Sequence, residues 1–233
     1  MSKIFASVGE AVADIPDGAS VAIGGFFTSG TPSALIKALA RQGAKNLTLI
    51  VMQMGPGNEE VMDLVLPGQV KKAICNYPFY RSASRGEDSP FEIAVRAGEI
   101  ELEVYPMGTF IEKLRCGGAG IPAFFTPTGV GTVVEEGKEK RSFEGREYLL
   151  ETALKPDYAL IHAYMGDDMG NIMFHKTAAN FNPEMAKAAR VAIAQVEQLV
   201  KRGTIKTDDV MLPGVFTQRL VQVDRQNYIP SID

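Results

Sequence analysis

The sequence predicts an α/β fold in which an open, mostly parallel sheet carries helices on both faces. Short apolar runs rich in β-branched residues alternate along the chain with segments of helical apolar spacing. Runs of this kind are typical of strands in a sheet that is covered on both sides. Because no linker-like segment interrupts the alternation, we expect residues 1–233 to form a single domain.

A predicted helix opens the chain. Its apolar residues recur at helical spacing and comprise Ile4, Val8, Ala11, Val12 and Ile15. The run Pro16-Asp17-Gly18 is typical of a turn and ends this helix. The next run, at residues 21–23, is short and apolar, which favours a buried strand.

A glycine-rich loop follows this first strand. It consists of Gly24, Gly25, Phe26, Phe27, Thr28, Ser29 and Gly30. Behind it, Thr31 is a suitable N-cap and Pro32 a suitable first residue for a helix over residues 34–42 that stops at Gly43. An apolar run at residues 47–51 completes a strand, loop, helix and strand unit.

The same alternation continues through the middle of the chain. Asn58 is a suitable cap for a helix through residue 66, and a second helix has Ser89 as its cap, Pro90 as its first residue and Gly98 as its stop. Strand-like runs follow these helices at residues 70–74 and 102–105. A Thr109-x-x-Glu112 capping box predicts a short helix that ends near Cys116.

The segment from Gly117 to Gly131 is rich in glycine and proline, and we expect it to be a long loop. A loop of this length is uncommon in a compact domain and is typical of functional or interface segments. A charged stretch follows at residues 135–146. Strands at residues 158–163 and 191–196, with a helix starting at Asn182-Pro183, complete the pattern.

Composition and charge exclude several classes of protein. The 24 basic and 28 acidic residues include no basic block, so nucleic acid is not expected as a partner. The chain has 2 cysteines, Cys75 and Cys116, which are too few for a disulfide framework. No run approaches the ~18 consecutive apolar residues of a membrane span. We therefore expect a cytoplasmic protein.

The glycine loop is the main candidate site. Its backbone N–H groups and the positive end of the helix dipole favour a phosphate or a carboxylate. The glycine spacing does not fit G-x-G-x-x-G, and Thr31-Pro32 stands where a P-loop has lysine and a hydroxyl residue, which disfavours nucleotide hydrolysis. An anion-binding loop and a purely structural tight turn remain open at this point.

Other candidate sites are weaker. His162, Asp167, Asp168 and His175 match no metal-ligand spacing, so we expect no metal site and interpret one histidine as the end of a strand. No G-x-S-x-G motif is present. Cys116 is expected to be buried and inert, because a helix C-terminus raises the pKa of a thiol.

A longer pattern surrounds the loop. Asp17-Gly18, the apolar run, Gly24-Gly25-Phe26, Gly30 and Pro32 resemble, at their spacing, the signature of family I coenzyme A transferases, in particular the A (alpha) chain of the 3-oxoacid or acetate type. The resemblance covers residues 1–223 and extends through four further segments, at residues 117–132, 136–138, 170–171 and 180–183.

The resemblance implies the CoA-transferase and phosphosugar-isomerase-like fold and a heteromeric enzyme of acyl-CoA and keto acid metabolism. Such an enzyme moves CoA between an acyl-CoA, such as succinyl-CoA or acetyl-CoA, and a carboxylic or 3-oxo acid. Its nucleophile is a glutamate in an S-E-N-G motif of the beta subunit, which forms a glutamyl-CoA thioester. This chain lacks that motif, so no catalytic residue is assigned to it. The implied assembly has two alpha and two beta subunits, with CoA as substrate and no permanently bound cofactor.

Residue by residue, Gly24 to Gly30 match the CoA-contacting loop of the family, which leaves a CoA phosphate, a substrate carboxylate or an oxyanion as its ligand. The segment 117–131 would then belong to the subunit interface or the active-site wall. Two alternatives remain: a CoA-thioester hydrolase or ring-cleaving enzyme on the same pair of chains, and a non-catalytic CoA- or anion-binding module.

The sequence departs from the family pattern at three places. Residues 52–55 read Met-Gln-Met-Gly where many relatives carry Ser-Asn-Asn, residues 77–81 differ from the common form, and His175 replaces an arginine. The role of His175 is open. Our hypothesis is a more apolar, aromatic pocket in which Arg81 or Arg85 binds a second carboxylate of the substrate.

Overall fold

The computed structural model describes residues 2–54, 59–79 and 88–224. Arg81 and Arg85 lie outside these ranges. The strands are β1 (Ser20–Ile23), β2 (Leu47–Val51), β3 (Val70–Cys75), β4 (Glu101–Val104), β5 (Ala123–Thr126), β6 (Lys140–Phe143), β7 (Arg146–Thr152), β8 (Tyr158–Asp167), β9 (Ile172–Met173), β10 (Val191–Val200) and β11 (Arg219–Gln222). The α-helices are α1 (Val8–Val12), α2 (Ser33–Gln42), α3 (Met62–Val65), α4 (Pro90–Arg96), α5 (Met107–Ala119) and α6 (Asn182–Ala188).

Seven strands form a parallel sheet in the order β11-β10-β8-β1-β2-β3-β4, and β9 adds an antiparallel pairing to β8. Helices α1 to α4 pack on one face, where Leu35 and Phe91 are fully buried. Helices α5 and α6 pack on the other face, around Phe110 and Met185. The predicted fold class is confirmed. Within the described ranges, none of the helices has the length and apolar character that a membrane span requires.

The order in which successive strands are added to the sheet reverses at β1. From β1 the chain steps outward through β2, β3 and β4, and it later returns to place β8 on the other side of β1. In open parallel sheets, ligands bind beyond the carboxyl ends of the strands at such a switch point. The loop from Gly24 to Gly30 follows β1 directly and so lies at this point.

Helix starts agree with the predictions to within a few residues. Ser89 caps α4 in a full capping box with Glu92, and Pro90 is the first residue of the helix, as predicted. Thr31 does not cap α2 as predicted, because its hydroxyl donates instead to the carbonyl oxygen of Phe27 at 2.8 Å. Helix α3 follows a 3-10 turn at Glu59–Val61, and its predicted cap Asn58 lies outside the described residues.

Two predictions about the middle of the chain were wrong. Helix α5 starts at Met107, before the predicted capping box, and continues through Ala119. The expected loop 117–131 therefore begins inside a helix, and it also contains β5. Gly117 allows α5 to pack closely against the backbone of Leu154, because a Cβ atom on it would lie 1.9 Å from the Leu154 carbonyl oxygen. The charged stretch contributes β6 and the start of β7 to an antiparallel sheet of order β5-β7-β6.

A buried ion cluster joins this small sheet to helix α5. Lys113 Nζ lies 3.0 Å from one carboxylate oxygen of Glu151, and Lys138 Nζ lies 2.5 Å from the other. The side chains of Lys113 and Glu151 are each 2% exposed. The Lys113 ammonium also lies 4.3 Å from the centre of the Tyr105 ring, just beyond β4. The cluster therefore connects α5, the small sheet and the edge of the main sheet.

Lys113→Met is expected to lower the free energy of unfolding by about 3–5 kcal/mol, because it leaves Glu151 buried with half of its ion pairing. The double variant Lys113→Met/Glu151→Leu should recover most of this loss. Urea unfolding of both variants, with the exposed Lys37→Met as control, measures the effect. Equal stability of Lys113→Met and the control would contradict the prediction.

Candidate functional site

The glycine loop leaves the sheet through a tight turn. The Gly24 N–H donates to the Leu160 carbonyl oxygen at 2.9 Å, which extends the β1 and β8 ladder by one bond. Phe26 and Ser29 then exchange two backbone hydrogen bonds of 3.0 Å. Phe27 between them has a φ of +52°, which is uncommon for a residue with a side chain. The turn exposes Phe26, Phe27 and Thr28 at its tip.

Asn182, the first residue of α6, holds the base of the loop. Strand β8 continues past the end of β1, so the His162 N–H has no ladder partner on that side. The Asn182 side-chain oxygen accepts this N–H at 3.2 Å. Its Nδ2 donates to the carbonyl oxygens of Gly30 at 3.0 Å and Ala178 at 2.9 Å. The fully buried Asn182 side chain thus provides the acceptor that a longer β1 would otherwise provide.

The loop glycines are required by this close approach. A Cβ atom on Gly24 would lie 1.9 Å from Asn182 Oδ1, and one on Gly30 would lie 2.4 Å from the Ala178 carbonyl oxygen. Asn180 adds a second anchor, because its Nδ2 donates to the Ser29 carbonyl oxygen at 2.9 Å. The segment before α6 therefore supports the loop from one side.

Three backbone donors of the loop have no partner within the described part of the chain. They are the N–H groups of Gly25, Thr28 and Gly30, of which the two glycines are buried. Buried N–H groups are rarely left without an acceptor in a native protein. Together with the positive end of α2, they make the loop suited to an anionic group. The loop is thus a tight turn that also has the donors of an anion site.

A buried polar chain lies beneath the loop. The Leu35 N–H in the first turn of α2 donates to Gln195 Oε1 at 3.1 Å, and Gln195 Nε2 lies 3.0 Å from His162 Nδ1. His162 Nε2 lies 3.3 Å from Glu197 Oε1. Burial lowers the pKa of His162, and the hydrogen bond and charge of Glu197 oppose this shift.

Sequence reasoning missed the role of this chain of side chains. It did not identify Gln195 and Glu197, and it interpreted Asn182 only as a helix start. One signal was available: His162 and Gln195 are polar residues inside apolar strand segments, where a buried polar side chain needs a partner. The expectation that a histidine ends a strand is wrong for His162, since β8 continues to Asp167 because its pairing with β10 extends that far.

The other candidate residues do not come together as a metal centre. Within the described ranges, no group of three or more His, Cys, Asp or Glu side chains could hold a metal ion. Asp167 instead accepts the N–H groups of Met169 at 3.0 Å and Asn171 at 2.9 Å, which organises the turn after β8. His175 is exposed and lies against the Tyr164 ring, with 5.3 Å between ring centres.

Both cysteines are free and buried. Burial raises the pKa of Cys75 to about 12 and also raises the pKa of Cys116, to which the Glu112 carboxylate contributes. A thiol with a raised pKa is a poor nucleophile at neutral pH. Neither cysteine is a candidate nucleophile.

The segment that departs from the family pattern lies one strand away from the loop. Met52, Gln53 and Met54 follow β2 and are buried. The Met54 N–H donates to the Tyr77 carbonyl oxygen at 3.0 Å, which joins the carboxyl ends of β2 and β3. Tyr77 and Phe79 are exposed nearby in the chain.

Gly24→Ala is expected to lower the free energy of unfolding by about 2–4 kcal/mol, because the added methyl group must displace Asn182 from its hydrogen bonds. Gly9→Ala in α1 is the matched control. Its Cβ atom meets nothing closer than 3.9 Å, so it should leave stability unchanged or raise it slightly. Urea denaturation measures both, and equal effects would contradict the prediction.

His162 also predicts a pH dependence. Because its pKa is lowered in the fold, the unfolded chain takes up a proton first as the pH falls through the ordinary histidine pKa of ~6.5. This residue should therefore reduce stability below pH ~6.5, by at most about 1.4 kcal/mol per pH unit, and have no such effect above it. His162→Gln should lose that part of the slope between pH 7.5 and 5.5, while the exposed His175→Gln keeps it. An unchanged slope in His162→Gln would refute the assignment.

Comparison with known proteins places this geometry in a family. The family described as Coenzyme A transferase matches residues 5–223. The chain is 45% identical over 224 residues to the A chain of 3-oxoadipate CoA-transferase from Pseudomonas putida, covering 96% of this chain and 94% of that protein. It is 46% identical over 221 residues to the A chain of succinyl-CoA:3-ketoacid coenzyme A transferase from Xanthomonas campestris pv. campestris strain B100, covering 94% and 88%.

The fold agrees with that result. The thioester complex of an acyl-CoA transferase from E. coli O157:H7 with CoA superposes with a TM-score of 0.83 at 25% identity, over 99% of this chain and 49% of the other. The sequence match, the open parallel sheet and the loop at its switch point are therefore consistent with one another. The chain belongs to the coenzyme A transferase family and is similar, over 96% and 94% of its length, to the A subunits of these two enzymes.

Proposed function

We propose that this chain is the alpha subunit of a heteromeric CoA-transferase that moves CoA between an acyl-CoA and a 3-oxo acid, and that Gly24 to Gly30 bind an anionic group of the CoA substrate. The observation that carries the proposal is the pair of buried N–H groups of Gly25 and Gly30 at the switch point of the sheet, for which residues 2–54, 59–79 and 88–224 provide no acceptor. Preorganised backbone donors of this kind favour negative charge without reorganising.

A beta subunit supplies the reacting carboxylate in this proposal. The relatives are named as the A chains of their enzymes, and this chain lacks S-E-N-G, the motif that carries the glutamate. The E. coli transferase is about twice as long as this chain, since the match spans 49% of it. We place the active site where the alpha and beta subunits meet, with residues 117–131 as part of the interface, and expect two copies of each.

The proposed reaction divides one transfer into matched steps. A carboxylate oxygen of the glutamate bonds to the thioester carbon of the donor, and the carbon–sulfur bond breaks to release CoA thiolate. The thiolate then attacks the glutamyl carbonyl carbon of the mixed anhydride, which releases the first acid and leaves a glutamyl-CoA thioester. The acceptor acid repeats the two steps in reverse. The role of this chain in the reaction is to bind an anionic group of the CoA substrate through the backbone donors of the loop.

The acceptor class follows from what the relatives share. Their names specify 3-oxoadipate and 3-keto acids, which have the 3-oxo carboxylate group in common. The 3-oxoadipate ion carries a second carboxylate, which is the group assigned above to Arg81 or Arg85 as a sequence-based hypothesis. We propose CoA as a dissociating substrate with no permanently bound cofactor. A cytoplasmic location agrees with the 2 free, buried cysteines.

Co-expression with the cognate beta subunit tests the proposal. The purified chain alone should show no turnover. The complex should form the acyl-CoA of a short 3-oxo acid or of 3-oxoadipate from succinyl-CoA. Release of free CoA thiol without transfer to an added acid would instead identify a thioester hydrolase. Failure to form a complex with any beta subunit would favour a CoA- or anion-binding module.

A further inference from the structure

The first turn of α2 is held by a side chain from the far side of the switch point. The Leu35 N–H is one of the helix-terminal donors that lack an intrahelical partner. Gln195 on β10 accepts it at 3.1 Å, and Gln195 is fully buried. Strand β10 is separated from β1 by β8, so this bond ties the helix behind the loop to two neighbouring strands.

Register places the two polar side chains side by side. His162 and Gln195 are paired directly across β8 and β10. Each lies two residues beyond an apolar residue, Leu160 or Ile193, that packs in the cluster with α2. Because strand side chains alternate between faces, both polar residues lie on the α2 face of the sheet. They form a continuous path from the partly buried Glu197 to the helix.

Only one assignment of donors and acceptors satisfies every hydrogen bond along this path. The amide oxygen of Gln195 accepts from Leu35, so its nitrogen is the atom that donates to His162 Nδ1. His162 is then neutral and carries its proton on Nε2, which donates to Glu197. Rotating the amide would place an NH₂ group against the Leu35 N–H and an acceptor against Nδ1. Each member therefore fixes the orientation of the next.

We propose that Gln195 and His162 are positioning residues for the glycine loop. They hold the first turn of α2, and with it the loop donors at Gly25, Thr28 and Gly30, in the geometry that an anionic ligand requires. Gln195 satisfies the Leu35 donor from within the protein, so the ligand contacts the loop donors and not that donor of the helix. The ligand in this statement rests on the proposed function, whereas the anchoring of α2 does not.

The hydrogen bonds at position 195 require an amide side chain, and a side chain of similar volume is not sufficient. Leucine at this position would fill a similar space but would leave the buried Leu35 N–H without its acceptor and remove the Gln195 donor from His162 Nδ1. Gln69 provides a matched comparison. It is also a buried glutamine, its Nε2 donates to the Ala44 carbonyl oxygen at 2.8 Å, and it precedes β3 at the opposite end of the strands from the loop.

The experiment compares Gln195→Leu, Gln195→Glu and the control Gln69→Leu. Amide hydrogen exchange of Leu35, Gly25 and Gly30 is followed by NMR in the full chain, and the KM for succinyl-CoA is measured in the complex with the beta subunit. Gln195→Leu should speed exchange at Leu35 on the order of tenfold and raise the KM for succinyl-CoA by a similar factor. Gln69→Leu should leave both within about twofold of the native values.

Gln195→Glu is the conservative rescue and covers the case in which Gln195→Leu does not fold. Its carboxylate still accepts from Leu35, so exchange there should stay within about threefold of native. Its second oxygen faces His162 Nδ1, so the pKa of His162 should rise, which the ring resonances report.

Unchanged Leu35 exchange in Gln195→Leu, or lost protection of the Leu35 amide in Gln195→Glu, would overturn the anchoring. An unchanged KM with faster Leu35 exchange would overturn the effect on ligand binding, and absence of transfer in the native complex would count against the proposed function alone.

Discussion

The unequal length of two neighbouring strands determines the architecture of the site. Strand β1 ends at Ile23, whereas β8 continues to Asp167, so a row of β8 backbone groups would be left without partners. A buried unpaired N–H is costly, and Asn182 removes the cost by accepting from His162. The same side chain donates to Gly30, which turns the edge of the sheet into the support of the loop. The need for a glycine at position 24 follows from that contact.

Two buried polar assemblies hold the surrounding elements in different ways. The Lys113, Glu151 and Lys138 cluster joins the small sheet to α5 through charge, and removing one partner leaves a charge in the protein interior. The path from Glu197 through His162 and Gln195 reaches α2 through hydrogen bonds whose donors and acceptors can be assigned in only one way. The first assembly stabilises the body of the protein, and the second sets the geometry of the loop.

Elements with a strong local signal were predicted well. The run 21–23, the helix after Pro32 and the helix start at Ser89-Pro90 were found where propensity, capping and burial point the same way. Gly117 and Gly118 misled the prediction, because a glycine can mark a turn or a close helix contact and only the neighbours Leu154 and Lys187 decide which. The charged residues of β6 formed an exposed strand without the apolar pattern from which strands are recognised.

Local sequence was sufficient to predict the alternation of strands and helices, the glycine loop behind the first strand and the resemblance that led to the family. These features depend on residues close together in the chain. The strand order, the switch point and the polar path beneath the loop depend on long-range contacts, because Leu35, His162 and Gln195 meet only through the pairing of β8 with β10. Contacts between residues far apart in sequence have no local pattern, so folding alone brings the loop and its supports together.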